Sequence, residues 1–248
     1  VYRGQLDLYP EGGAEGGYKS MLEKAKAAQN LTMEYRLMMG LDNRVIFDMQ
    51  DVVEERCLLE RALLQDKREK NLYLLPVCKG VNFSGIHQDD FVRVMRVLQN
   101  QFDYLFIDTP AGVESGFRFA SSVAGRAIIV SNLDVSALQD ADRVIGLLLK
   151  EGVAMLELVL NKISPRAIDK GMCVKIEDAT SWLAIPLLGY IVEDARMQSC
   201  NNRGLPIAVA RDSQLYHCFD VLGRRFLKEK VVLPKLNERR FLSRIFAT

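Results

Sequence analysis

From about residue 50 the chain alternates between two hydrophobic rhythms. Apolar residues recur at helical spacing over 51–65, with Asp51 placed as an N-cap, and again over 90–99, 136–150 (capped by Ser136), 174–183 and 213–229. Between them lie short continuous apolar runs at 71–76, 104–108, 126–131, 155–160 and 186–192. Buried parallel strands read in this way, because both of their faces are covered. Strands interleaved with helices of this length predict βαβ units: an α/β fold with a mostly parallel sheet flanked by helices. Ligands of such sheets bind beyond the carboxyl ends of the strands. Residues 1–34 break the pattern. They hold a glycine cluster, Gly12-Gly13-Ala14-Glu15-Gly16-Gly17, then Tyr18-Lys19-Ser20 and a polar stretch rich in Ala and Lys. The expectation there is a loop followed by a solvent-facing helix, with no apolar strand before the glycines.

Composition bounds the function. With 248 residues, 49% hydrophobic and 26% charged, the chain has ample material for one large domain or two small ones. No uncharged apolar run approaches the roughly 20 residues of a spanning helix, and the first residues lack the apolar segment of a secretory signal. Five widely spaced cysteines without a Cys-x-x-Cys pair argue against a disulfide scaffold or a zinc site and for thiols in a reducing cytoplasm. His87 and His217 have no ligand-like neighbours and are read as structural. A net charge of +1 argues against a globally basic nucleic-acid binder, and no sequence-specific nucleic-acid partner is expected.

Two strand ends carry the candidate chemistry. Asp108 closes the run Tyr104-Leu-Phe-Ile-Asp108 and is followed by Thr109-Pro110-Ala111-Gly112. An acid there is placed to hold the water shell of a magnesium ion, and a Gly four residues on lets a backbone N–H approach a phosphate. The alternative is an acid that ends a strand and caps the next helix. Asn161 follows the run at 156–160, and its amide both donates and accepts, as reading a purine edge requires. Asn is also a common loop residue.

The net charge conceals a basic end. Between Arg224 and Arg244 eight basic residues stand against Glu229 and Glu238. On a helical wheel Phe241, Leu242, Ile245 and Phe246 share an arc of about 140°, with Arg240 and Arg244 opposite. Such a helix suits an anionic membrane interface. The other reading is a terminal helix docked on its own domain.

From Leu37 onward the chain resembles the MinD family of the ParA/MinD deviant Walker P-loop ATPases. The resemblance is carried by Met38-Met-Gly-Leu-Asp-Asn-Arg-Val-Ile-Phe-Asp48, Asp51-Val-Val-Glu-Glu-Arg-Cys57, residues 62–68, 71–76 and 102–112, Gly116-Phe-Arg118, residues 140–146, Asn161 and Asn202-Arg-Gly-Leu-Pro206. It implies a P-loop NTPase fold with a divergent segment at 1–36 in place of the Walker A unit, an ATPase domain over 37–230, and a linker with a membrane-targeting helix over 231–248. Asp108 then corresponds to the Walker B aspartate, Pro110, Ala111 and Gly112 to the γ-phosphate-sensing switch, and Asn161 to the adenine contact. Glu193 and Asp194 correspond to the loop beside the base, where Val192 replaces the usual proline. Ser136 and residues 140–143 fall on the helix used for dimer and partner contacts. The tail residues Arg240, Phe241, Leu242, Arg244, Ile245 and Phe246 correspond to the reversible membrane anchor.

The family implies ATP and Mg2+ as cofactors, a homodimer, MinC-like and MinE-like (or MinJ/DivIVA-type) regulators, an anionic membrane surface, and a place on the inner face of the cell membrane. Its function is positioning of the division septum. The Walker A motif does not match. Gly12, Gly13, Gly17, Lys19 and Ser20 supply the residue types, but Tyr18 separates the last Gly from Lys19, and Glu11 stands where a signature lysine belongs. At 27–31, where the first switch aspartate is expected, the chain reads Ala-Ala-Gln-Asn-Leu. Three readings follow: a segment read out of frame in an active ATPase gene, a pseudo-ATPase scaffold, or a distorted phosphate loop. A ParA-like or flagellar-number relative is the remaining alternative.

Overall fold

Four strands of the main sheet share one direction and a fifth runs against them. The computed structural model describes residues 3–8, 46–76, 86–109, 115–203, 213–234 and 236. The sheet has the order β4-β1-β5-β6-β7, with β1 at Arg3–Leu8, β4 at Leu105–Asp108, β5 at Arg126–Ser131, β6 at Met155–Ile163 and β7 at Leu187–Val192. Strands β5, β6 and β7 pair in parallel, whereas β1 is antiparallel to both β4 and β5. The mostly parallel α/β sheet predicted from the apolar runs is thus present.

The continuous runs divide by parity. Leu105, Ile107, Ala127, Ile129, Leu156, Leu158 and Leu160 enter one core, and Tyr104, Ile128 and Val159 the other. The first core is closed by α5 (Val135–Lys150) through Leu138, Ala141, Ile145 and Leu148, and by α7 (Ile176–Leu183) through Ala179 and Leu183. The second is closed by α9 (Gln214–Phe226), whose Leu222 and Phe226 lie on the opposite face of the sheet. The sheet is therefore covered on both sides, which is why its strands carry so few polar residues.

Local signals were displaced in several places. The 51–65 helix is two short ones, α1 (Met49–Val53) and α2 (Leu59–Ala62), interrupted where Glu55 takes φ 58°. Asp48 is the N-cap of α1, and Asp51 completes its capping box from the third helical position. Asp134, not Ser136, caps α5 by accepting from the Ala137 N–H at 2.8 Å. The 71–76 run gives only Tyr73–Leu74 (β3), paired antiparallel with Leu64–Gln65 (β2) in a separate two-stranded sheet. Helix α3 (Gln88–Gln99) covers the predicted 90–99 segment. The helices α4 (Ser115–Ser121), α6 (Pro165–Asp169) and α8 (Ala195–Asn202) were not anticipated. Nor was β1, since Arg-Gly-Gln-Leu-Asp-Leu is not an apolar run.

Two charged residues interrupt the apolar strands and satisfy each other. Arg126 is fully buried at the start of β5 and donates from Nε to Glu157 Oε2 of β6 at 2.6 Å. Its Nη1 donates to the Phe226 carbonyl at 3.1 Å, and its guanidinium lies 3.9 Å from the centre of the Phe226 ring. Lys228 approaches Glu157 from outside at 3.6 Å. One cation thereby joins two strands to the carboxyl end of α9. Replacing Glu157 by Leu leaves a buried guanidinium without its counter-charge and is expected to cost about 3–5 kcal/mol. The Arg126→Met/Glu157→Leu double variant should recover most of that loss, as read from urea denaturation midpoints.

Candidate functional site

The parallel direction of β4, β5, β6 and β7 brings their carboxyl ends to one edge, along which the predicted Asp108, Asn161 and Glu193–Asp194 lie, together with Ser131. Asp108 ends β4 with 6% exposure, followed by the equally buried Thr109. Ser131 ends β5, buried, with its hydroxyl donating to the Asn132 carbonyl at 3.1 Å. Asn161 lies near the end of β6, half-buried, in a bulge followed by Lys162 at φ 54°. The next connection is tied to the same edge, because the Glu193 N–H donates to the Ile163 carbonyl at 2.9 Å. Asn161 and the Glu193–Asp194 loop are thus adjacent.

Asp194 has a different role from its neighbour. Its Oδ1 accepts from the Arg196 N–H at 2.8 Å and from Arg196 Nε at 3.0 Å, at the entry to α8. The Arg196 side-chain hydrogen bond, opposed by burial, holds its carboxyl below the usual aspartate value. Its carboxylate is committed to the turn, so it shapes the loop and Glu193 remains the exposed acid. Pro110, Ala111 and Gly112 lie outside the described residues, as do Gly12, Gly13, Gly17, Lys19 and Ser20, and the tail residues Arg240, Phe241, Leu242, Arg244, Ile245 and Phe246. On α5, Ser136, Asp140, Asp142 and Arg143 are exposed while Leu138, Ala141, Val144 and Ile145 are buried, which leaves a polar face outward.

The arrangement fits a magnesium nucleotide in one half only. Base and metal sides have their acid and amide at the expected strand ends. The phosphate side does not fit. A phosphate loop leaves the carboxyl end of a strand parallel to its neighbours and opens a helix whose N-terminus faces the anion. Here β1 is reversed: Gln5 stands opposite Asp108 and Leu8 opposite Leu105. Strand β1 therefore ends, at Leu8, on the amino edge of the sheet, at the end remote from Asp108. Among the described residues there is no cluster of three or more His, Cys, Asp or Glu that could hold a metal directly. No described helix is long and apolar enough to cross a membrane. Cys57, Cys173, Cys200 and Cys218 are in no disulfide.

The segment before the tail is anchored to β7, chiefly near the amino end of that strand. Arg225 of α9 donates to the carbonyls of Leu188 (2.6 Å), Leu187 (2.9 Å) and Val231 (2.7 Å), and the Tyr190 hydroxyl donates to the Pro234 carbonyl. A Cβ on Gly189 would lie 2.6 Å from Leu222 and 3.5 Å from Leu233. Residues 231–234 are thus strapped across β7, the last strand of the sheet. Sequence reasoning missed Lys162 and Arg225. Nothing in a Lys after Asn signals a left-handed backbone, and the partners of Arg225 lie on a strand nearly forty residues earlier in the chain.

Comparison with known proteins agrees with this architecture. The septum site-determining protein MinD of Bacillus subtilis is 37% identical over 205 residues, covering 82% of this chain and 76% of the relative. The solved MinD cell division protein of Aquifex aeolicus superposes with a TM-score of 0.79 at 31% identity, over 88% of this chain and 92% of that one. The same score, at 30% identity and over 89% and 92%, is found with the Aquifex aeolicus MinC:MinD complex. No protein-family model matches the chain.

The strap carries a pH signature. Burial first, and the neighbouring Cys218 second, push Tyr190 from 10.0 up to about 12. The folded state holds this proton more tightly than the unfolded chain. The stabilisation is therefore complete below pH 10 and is lost as pH rises toward about 12. Tyr190→Phe is expected to lose about 1 kcal/mol at neutral pH through the missing hydrogen bond. It should also flatten the alkaline decline, followed by tyrosinate absorbance alongside urea denaturation.

Proposed function

Since the chain belongs to the MinD family of septum site-determining proteins, we propose that it acts in placing the division site as a MinD-type dimer, engaging a MinC-class partner and the membrane, with impaired turnover of ATP. The observation that supports this reading is the shared carboxyl edge along which Asp108, Asn161 and the Glu193–Asp194 loop lie. Asp108 is the residue to hold the water shell of Mg2+, Asn161 the residue to contact the base, and the exposed polar face of α5 the surface for a partner or a second copy. When bound, Mg-ATP supplies the γ-phosphate whose presence or absence a switch at Pro110, Ala111 and Gly112 reads. Regulators of the MinE or MinJ/DivIVA type belong to the same reading, as does residence on the inner face of the cell membrane through the 231–248 tail.

The reversed β1, the extra Tyr18 and Glu11 together favour the pseudo-ATPase form of this reading. Positioning and charge neutralisation around the phosphates supply almost all of phosphoryl-transfer catalysis, and those are the features that do not fit. Magnesium-dependent ATP hydrolysis by the purified full chain is expected to stay at background. Turnover that vanishes in Lys19→Ala would instead establish a working phosphate loop.

Membrane engagement rests on the amphipathic pattern after Pro234. Burial of Phe241, Leu242, Ile245 and Phe246 contributes about 1.5–3 kcal/mol each before helix ordering is subtracted. Two tails held in a dimer bind more tightly than one by avidity. The full chain is expected to sediment with vesicles containing anionic lipid, and deletion of 241–248 to abolish this. Equal sedimentation of the truncated chain would overturn the assignment. A chain without the nucleotide switch should show the same vesicle binding with and without Mg-ATP.

A further inference from the structure

The strap after α9 has a direction. Its Val231 carbonyl shares the Arg225 guanidinium with the carbonyls of Leu187 and Leu188, at the start of β7. Leu233 lies beside Gly189, and the Pro234 carbonyl accepts from the Tyr190 hydroxyl. The strap therefore runs parallel to β7, from the amino edge of the sheet toward the carboxyl edge. Leu233 and Leu236 pack against the core that α5 and α7 close. The amphipathic residues 241–246 follow Leu236 in the sequence.

The carboxyl edge beside the strap carries an unusual loop. Strand β6 reaches that edge through two register irregularities that cancel: Leu158 pairs with Leu187 but Val159 with Gly189, and Leu160 pairs with Tyr190 but Ile163 with Val192. At the second, Lys162 takes φ 54°, so that Ile163 stays in the core and Lys162 is exposed. Helix α6 and residues 170–175 follow. This loop is ordered by its own backbone. The Gly171 N–H donates to the Ile168 carbonyl at 3.0 Å, the Met172 N–H to the Ala167 carbonyl at 2.9 Å, and the Val174 N–H to the Leu133 carbonyl, just beyond β5, at 3.0 Å. Ile168, Cys173, Val174 and Ile176 pack against the core, whereas Met172 among them is 74% exposed. Between positions 162 and 175 stand four exposed cations, Lys162, Arg166, Lys170 and Lys175, against one exposed acid, Asp169. Glu177 and Asp178 come next, in the first turn of α7, where the helix N-terminus offsets their charge.

A fixed loop that buries its other apolar side chains and holds a methionine out among cations matches a bilayer interface. The thioether side chain adapts to irregular apolar surroundings, and the cations meet lipid phosphates. Neighbouring strands are about 5 Å apart, so the loop at the ends of β5 and β6 and the strap on β7 lie within about 15 Å of each other across the sheet. We propose that residues 170–175 are a second membrane contact: Met172 enters the interface of an anionic bilayer while Lys162, Arg166, Lys170 and Lys175 meet its headgroups, which sets this part of the carboxyl edge against the membrane. The proposal rests on the tail reading above for its strength, since one methionine and four cations bind weakly alone. Beside a tail already in the interface the second contact is intramolecular.

The test uses the full chain with vesicles containing anionic phospholipid, and its single tryptophan. Helix α7 runs back from the carboxyl edge, so Trp182, 42% exposed near its far end, lies toward the amino edge. Brominated acyl chains quench an indole that enters the interface. Vesicle-bound Trp182→Phe/Met172→Trp should lose much of its emission to brominated lipid, whereas Trp182 of the unaltered chain should keep its own. Met172→Ser should weaken vesicle binding about fivefold through the lost apolar burial. Lys170→Gln/Lys175→Gln should weaken it about tenfold at low salt, and less as salt screens the charges. Urea midpoints of these surface variants should match that of the unaltered chain. Equal quenching at 172 and 182 overturns the proposal, because the bilayer then lies elsewhere. Vesicle binding unchanged in both Met172→Ser and the lysine double variant also overturns it and assigns the exposed methionine to a protein partner. If deletion of 241–248 still abolishes binding in that case, the tail reading stands without the loop. A truncated chain that binds and is quenched at 172 supports the loop contact while the tail reading falls. Absence of vesicle binding by the full chain overturns both.

Discussion

A guanidinium with no exposed surface decides how the two halves of the molecule meet. Arg126 begins an otherwise apolar strand, and the only way to bury it is to surround it with acceptors and a ring face. Glu157 supplies the counter-charge from the neighbouring strand, and Phe226 supplies both its carbonyl and its ring from α9. Each of those partners is thereby fixed in register: β5 against β6, and the end of α9 against the amino edge of the sheet. The position of α9 then sets Arg225, which reaches the carbonyls of β7 and of the strap. The segment leading to the amphipathic tail is thus located, through a short series of hydrogen bonds, by one buried charge.

The site positions predicted from the sequence lie along the opposite edge of the same sheet. Separating the two edges has a physical logic. The amino edge is stabilised by paired charge and aromatic contact, whereas the carboxyl edge carries Asp108, a bulge and a connecting loop held by a single backbone hydrogen bond. Family membership gives that edge its meaning, and the reversed first strand limits it. In the order β4-β1-β5 the slot that a phosphate-binding strand would fill is occupied by a strand pointing the other way. Between β4 and β5 the ladder is continuous, and β1 ends on the amino edge of the sheet.

Much of this was legible in the residues, and the misses have causes. The runs at 126–131 and 186–192 became β5 and β7 because their apolar character reflects burial on both faces, which leaves few competing conformations. The 51–65 helix failed because its apolar spacing continues across Glu55, whose left-handed backbone no pattern of side chains announces. Caps were misplaced by two or three residues where more than one cap-forming side chain stands in the first turn: Asp48 and Asp51 bond reciprocally, and Asp134 precedes Ser136. Asp108 could be found because an acid after an apolar run is a sharp discontinuity. Lys162 could not, since its importance is a backbone angle that depends on the strand beside it. The strand at 3–8 was missed because its pairing is tertiary: Gly4, Gln5 and Asp7 have little strand preference of their own.

The cancelling bulges in β6 and β7 also bear on how this region tolerates insertion and deletion. Removing one residue near Leu188 alone, or near Lys162 alone, would leave the other bulge uncompensated. Every side chain beyond it would then move to the other face of the sheet. Losing one residue from each strand together would restore a regular ladder and keep Ile163 and Val192 paired. Length changes in these two strands should therefore appear in descendants of this sequence as coupled events, each harmful alone and nearly neutral together, even though Lys162 and Leu188 are 26 positions apart in the chain.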